Sequence, residues 1–113
     1  MFMEEITPQQ RVKCSNKTYI VDFVVDFSRK LSNDKYIYPQ IAKLKYAIEL
    51  DGFDFHSKKD QMNKDYEREN NLKLAGYNVV RFTGSQIFNN PYTCVDTLMS
   101  LIMKDIELCL LEE

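Results

Sequence analysis

Glu49, Asp51 and His56 are the residues whose types and spacing best suit chemistry. They stand in the stretch Lys45-Tyr-Ala-Ile-Glu-Leu-Asp-Gly-Phe-Asp-Phe-His56. Its first half alternates as a strand: Leu44, Tyr46, Ile48 and Leu50 fall on one face, Lys45, Ala47, Glu49 and Asp51 on the other. The two carboxylates therefore point into the same volume. Gly52 follows at once and permits a sharp turn or a close backbone approach, and His56 is the chain's sole histidine. A second acid of interest is Asp22, set in the apolar run Thr18–Phe27. A carboxylate there is costly unless it is paired or binds a metal. Acids converging at a sheet end are what a hard divalent cation selects, and such a cation can activate water for phosphodiester cleavage. The plainer reading of Glu49 and Asp51 is the solvated face of an edge strand.

The elements that would position these residues follow from the pattern. Residues 1–9 have no clear period and are closed off by Pro8. Gln10–Cys14 and Thr18–Phe27 then read as a hairpin around Ser15-Asn16-Lys17. In its second arm Tyr19, Val21, Phe23, Val25 and Phe27 share one face by alternation. Ser28–Gln40 reads as loop, and Ile41–Leu50 as the strand that carries the acids. Ser57-Lys-Lys-Asp60 predicts a helix start, the helix running to about Ala75 with Gly76 as its left-handed cap. Along it Gln61, Asp65, Arg68, Leu72 and Ala75 lie on one stripe, polar at one end and apolar at the other. Polar groups on an inward stripe must be satisfied by one another or by something bound; an ordinary Asp65–Arg68 helix pair is the simpler account. Tyr77–Thr83 predicts a further strand carrying Arg81. Thr83-Gly84-Ser85 reads as a turn, followed by a short helical turn over Gln86–Phe88. Thr93-x-x-Asp96 predicts the cap of a final helix. Val95, Leu98, Met99, Ile102, Ile106 and Cys109 form its core stripe, with Leu101, Leu108 and Leu111 as a second. A helix apolar on two faces sits deep or packs against a partner chain.

At 113 residues the chain is expected to form a single domain, 1–113, without room for two cores. No apolar run approaches the ~20 residues that cross a bilayer. No signal-peptide pattern opens the chain, and Cys14, Cys94 and Cys109 form no Cys-x-x-Cys pair. Reduced thiols and a cytoplasmic location are the expectation. Fifteen basic against seventeen acidic residues leave a net charge of −2, which argues against a broadly basic nucleic-acid face without excluding a local one.

Taken in order, these residues resemble the Vsr-like branch of the PD-(D/E)XK nuclease superfamily, named for very-short-patch-repair endonucleases. The resemblance covers roughly residues 18–90. It rests on Tyr-Ile-Val-Asp22-Phe, Ala-Ile-Glu49-Leu-Asp51-Gly52, Asp-Phe-His56, Gln61, Asp65-x-x-Arg68, Leu72, Gly76-Tyr, and Val-Val-Arg81-Phe-Thr-Gly. It implies an α/β fold of restriction-endonuclease type, a small mixed sheet flanked by helices, with residues 93–111 as a packing or interface helix. It also implies an endonuclease that uses Mg²⁺ or Mn²⁺ to hydrolyse DNA phosphodiesters, as a nickase or otherwise, in repair, defence or a mobile element. Asp22, Glu49 and Asp51 would be the catalytic metal-site acids, and His56 a proton donor, phosphate contact or water holder. Gln61, Asp65, Arg68 and Arg81 would line the cleft. The superfamily's lysine two residues after the acid is Asp51 here, so Lys45 or His56 would have to serve as the charge-stabilising base. The loop between Asp22 and Glu49 is also long, and no helix is evident before Pro8. These departures keep open a catalytically inactive module that binds nucleic acid, DNA or RNA, or a protein. The apolar final helix would suit a homodimer or a partner protein.

Overall fold

The β-branched and aromatic run Thr18–Asp26 forms the strand around which the sheet begins. The computed structural model describes residues 6–28, 39–51 and 59–111, without the side chains of 59–61. Its elements are β1 (Ile6–Lys13), β2 (Thr18–Asp26), α1 (Pro39–Ala42), β3 (Lys45–Asp51), α2 (Lys59–Leu74), β4 (Asn78–Thr83), α3 (Gly84–Asn89) and α4 (Pro91–Leu111). The described strands form one four-stranded sheet in the order β1-β2-β3-β4. β1–β2 and β2–β3 are antiparallel, and β3–β4 is parallel across the α2 crossover. This is the expected α/β architecture with a small mixed sheet and flanking helices.

Both strands of the hairpin depart from the sequence reading. β1 begins at Ile6 and runs through Pro8, which pairs with Phe23. Proline has no N–H to donate, and an edge strand needs none on its open side. In β2 the predicted common face is split. Tyr19 and Val21 pack in the cluster that holds Leu72 of α2, whereas Phe23, Val25 and Phe27 pack in the cluster that holds Ile102 of α4. The changeover falls at Asp22. The β1–β2 register passes from Pro8–Phe23 to Gln10–Val21 and skips Gln9 and Asp22, and Gln9 has a left-handed backbone, φ 48°. Where the backbone leaves the β region the strict alternation of faces lapses.

β3 is the most buried strand, and its two faces are those the alternation predicts. Tyr46 and Ile48 pack with α4, and Ala47 with Leu72. It starts at Lys45 and not at Ile41, because Ile41 and Ala42 belong to α1, closed by a Leu44 N–H to Ile41 C=O bond of 2.9 Å. On the α4 side the Tyr46 hydroxyl donates to Asp105 Oδ2 at 2.7 Å. Burial, then that hydrogen bond, pushes the phenol's pKa well above its ordinary value.

The end of α2 is as predicted. Gly76 has φ 96°, Tyr77 N–H reaches Leu72 C=O at 3.1 Å, and Gly76 N–H reaches Lys73 C=O at 2.9 Å. These are the two bonds of a Schellman cap, and they turn the chain directly into β4. The Ser57–Asp60 capping box lies outside the described residues and side chains, as does most of the Ser28–Gln40 loop.

After β4 the capping is displaced from its predicted place. Thr83 caps α3: its hydroxyl accepts from Gln86 N–H at 3.1 Å while Gln86 Oε1 accepts from Thr83 N–H at 2.8 Å. α4 begins at Pro91, two residues before Thr93, with proline at the first helical position where its missing N–H costs nothing. Ile102 is its buried anchor. Cys94 packs into the core, and Val95, expected there, is 57% exposed. Leu101, Leu108 and Leu111, the second stripe, are exposed. Among the described residues no helix is long and apolar enough to cross a membrane, and Cys14, Cys94 and Cys109 form no disulfide.

Candidate functional site

The α2-facing side of β3 carries Glu49 and Asp51 side by side, as the period of two requires. Pairing β3 with β4 sets Arg81 opposite Glu49 and Thr83 opposite Asp51. α2 lies over this corner and supplies Asp65, Arg68, Glu69 and Leu72 from one stripe. With Val79, these residues enclose a cavity of about 200 Å³. Leu72 is fully buried at its apolar end.

Glu49 is the buried charge of the described core, 9% exposed. Arg68 answers it: Nε donates to Glu49 Oε1 at 2.8 Å, and Nη2 lies 2.7 Å from the same oxygen. Arg68 is itself pinned, its Nη2 donating to Ile20 C=O at 2.7 Å and its guanidinium lying 5.1 Å from the Tyr19 ring centroid. The Tyr19 hydroxyl in turn accepts from Asn71 Nδ2 at 2.8 Å. Burial pushes the Glu49 pKa up; Arg68 opposes this, and the nearby Asp22 charge adds to it. The carboxyl stays above its ordinary value.

Asp51 is held by Arg81 through two bonds, Nη2 to Oδ1 at 2.8 Å and Nε to Oδ2 at 3.3 Å. Arg81 Nη1 also lies 3.6 Å from Glu69 Oε1, and Glu69 Oε2 meets Lys73 Nζ at 3.0 Å. The bonded Asp51 carboxylate raises the Arg81 pKa above its already high value. Asp22 stands beside this set and not in the cavity lining. Its Oδ2 accepts the Leu50 N–H at 2.7 Å and its Oδ1 the Gln9 amide at 3.4 Å.

The structure thus brings together Glu49, Asp51, Asp65, Arg68 and Arg81, with Asp22 adjacent. The direct partners differ from the Asp65–Arg68 helix pair the sequence suggested: each arginine reaches across to an acid of β3. Lys45 is elsewhere, at the opposite end of β3, with its ammonium 4.4 Å from the Tyr77 ring centroid. His56 lies outside the described residues, and so does the side chain of Gln61, whose backbone is in the first turn of α2. Sequence reasoning passed over Glu69 and Tyr19. Glu69 stands four residues after Asp65 on α2, a spacing that would have put it beside the same stripe.

Among the described residues no three acids are grouped closely enough to hold one ion. The pair Glu49 and Asp51 nevertheless offers the hard oxygens that Mg²⁺ takes, since that ion is commonly held by one or two carboxylates with waters and substrate phosphate completing the shell. Four carboxylates against two guanidiniums line the cavity, an excess of negative charge that suits a cation. In donor chemistry the residues fit; the arginines now occupy them.

A mixed sheet with helices on both faces, and acids at the end of a central strand, define a protein of restriction-endonuclease-like fold. The particular family is REase_MTES_1575, whose model matches residues 3–102, and the chain belongs to it. No curated protein and no solved structure matches significantly.

Proposed function

We propose that the protein is a metal-dependent endonuclease of DNA phosphodiesters, of the Vsr-like kind. The observation that carries this reading is the placement of Glu49 and Asp51 on one face of β3, opening on a cavity that α2 closes, in a chain of a nuclease family. Glu49 and Asp51 would hold Mg²⁺ or Mn²⁺, with Asp22 alongside. When bound, such an ion lowers the pKa of water and stabilises the developing charge at phosphorus.

The chain's own groups do the rest. The Asp22 carboxylate holds the Leu50 N–H and so fixes the backbone between the two acids. Arg68, tied to Ile20 C=O and stacked on Tyr19, favours the charged form of Glu49 against its burial. Arg81, exposed by about a third, supplies a planar donor set of the shape that meets a phosphate bidentately. His56 follows Asp51 by five residues and remains the proposed proton donor.

A second reading has its own observation. Both acids of β3 are neutralised by arginine, and no lysine follows Glu49 at the superfamily's position, which suits a module that binds nucleic acid without cutting. Nicking of supercoiled plasmid with Mg²⁺ or Mn²⁺ separates the two. The wild type is expected to nick, and Asp51→Asn to lose at least about a hundredfold of that rate, a loss on the scale of removing one electrostatic stabiliser. Wild type that shifts DNA in a gel yet cuts none of it would establish the binding module instead.

A further inference from the structure

We propose that Arg81 is the counter-ion a divalent cation displaces from Asp51, and that Glu69 and Asp65 of α2 receive it. This rests on the metal site of the preceding reading and adds how that site is kept ready without its ion.

The two guanidiniums of the cavity are held differently. Arg68 is fixed from three sides, by Glu49, by Ile20 C=O and by the Tyr19 ring. It bonds Oε1 of Glu49, so a cation can take Oε2 while Arg68 stays in place. Arg81 grips both oxygens of Asp51, so it occupies a lone-pair site on each and sets its own positive charge against a cation there until that grip is released. Arg81 is also the guanidinium with somewhere to go. Its Nη1 already lies 3.6 Å from Glu69 Oε1, and Asp65 lines the same cavity one turn earlier on α2. A pivot of the side chain exchanges one carboxylate for another without stranding the charge. The handover keeps both guanidiniums in the cavity: Arg81 is on Asp51 before the ion arrives and on the helix acids once the ion takes Glu49 and Asp51, so a divalent cation balances the excess of four carboxylates over two guanidiniums. Removing Arg81 should therefore raise cation affinity, and removing its acceptors should lower it although they do not ligate the cation.

Mn²⁺ titration of the full chain by calorimetry tests this with a double-mutant cycle. Arg81→Met is expected to bind Mn²⁺ at least about fivefold more tightly than wild type, the lower end of ordinary site–site coupling. Asp65→Asn with Glu69→Gln should weaken Mn²⁺ binding in the presence of Arg81, and most of that weakening should vanish in the Arg81→Met background. Arg81→Gln, which keeps an uncharged polar group at the level of the arginine Nε, serves as the second variant, and far-ultraviolet circular dichroism confirms the fold of each. Unchanged affinity in both Arg81 variants, with Glu49→Gln still abolishing binding, would leave the metal site standing and overturn the handover. Equal weakening by the helix substitutions in both backgrounds would make Asp65 or Glu69 a ligand, and would overturn it too. If neither wild type nor any variant binds Mn²⁺, the metal reading itself falls and the handover with it.

Discussion

Glu49 is the residue at which fold and proposed function meet, because its burial raises the free energy of the charge the proposed role requires. Burial favours its neutral form, and Arg68 supplies the opposing hydrogen bond and charge. The folded pKa is raised, so the folded state holds this proton more tightly than the unfolded chain does. Stability from this group is then fullest below the unfolded carboxyl value near 4.5 and is lost as pH rises through the folded pKa. Carboxyl NMR should find Glu49 titrating above an ordinary glutamate, and Arg68→Met should move its midpoint higher still, because only the opposing influence is removed. A midpoint that falls in Arg68→Met would mean that the pair does not govern this carboxyl. The same substitution leaves a buried acid without its donor and should cost about 1–3 kcal/mol of stability at neutral pH, read from urea unfolding.

Among the elements, the site depends on the α2–β4 junction. Gly76 at φ 96° closes the Schellman cap that sets the register in which Arg81 faces Glu49. A Cβ there would approach Lys45 Cε to 3.0 Å, and a non-glycine residue in the left-handed region costs about 1–2 kcal/mol. Gly76→Ala should therefore lower the urea midpoint by that equivalent at unchanged m-value, whereas Leu74→Ala, at a position 86% exposed, should change it little. Equal effects would show that the cap does not hold this junction. The cap was legible in the sequence because glycine chemistry and helix length are local signals. So were the faces of β3 and the stripe Asp65–Arg68–Leu72. The partners of the arginines were not: Arg68 and Arg81 reach acids 19 and 30 residues away, and only the register of the β3–β4 pair and the placement of α2 select those acids over Asp65. The split faces of β2 were hidden for a similar reason. They change over at Asp22, where the pairing with β1 skips Gln9 as well, and no alternation within β2 reveals that.

Across the whole molecule, α4 buries one stripe and leaves another in water. Ile102 is 1% exposed, while Leu101, Leu108 and Leu111 on the outer side are 42%, 51% and 81% exposed. Leu101 also lines two grooves along β4, the strand at the sheet's end, which pairs with β3 alone among the described strands. An open strand edge beside an apolar helix stripe is a surface that soluble proteins usually cover. We propose a second copy as the cover, since one stripe meeting itself across a two-fold axis is self-complementary. The chain should then scatter light as a dimer at micromolar concentration, and Leu101→Lys with Leu108→Lys should return it to the monomer mass. Because both leucines face outward, the pair of lysines should leave the monomer's circular dichroism unchanged. A wild type that is monomeric at every concentration would remove the dimer and leave the stripe for a different protein. A dimer untouched by the lysines would move the interface off α4. Chemistry at the proposed site should survive in the monomer, because neither Leu101 nor Leu108 lines the cavity around Glu49 and Asp51.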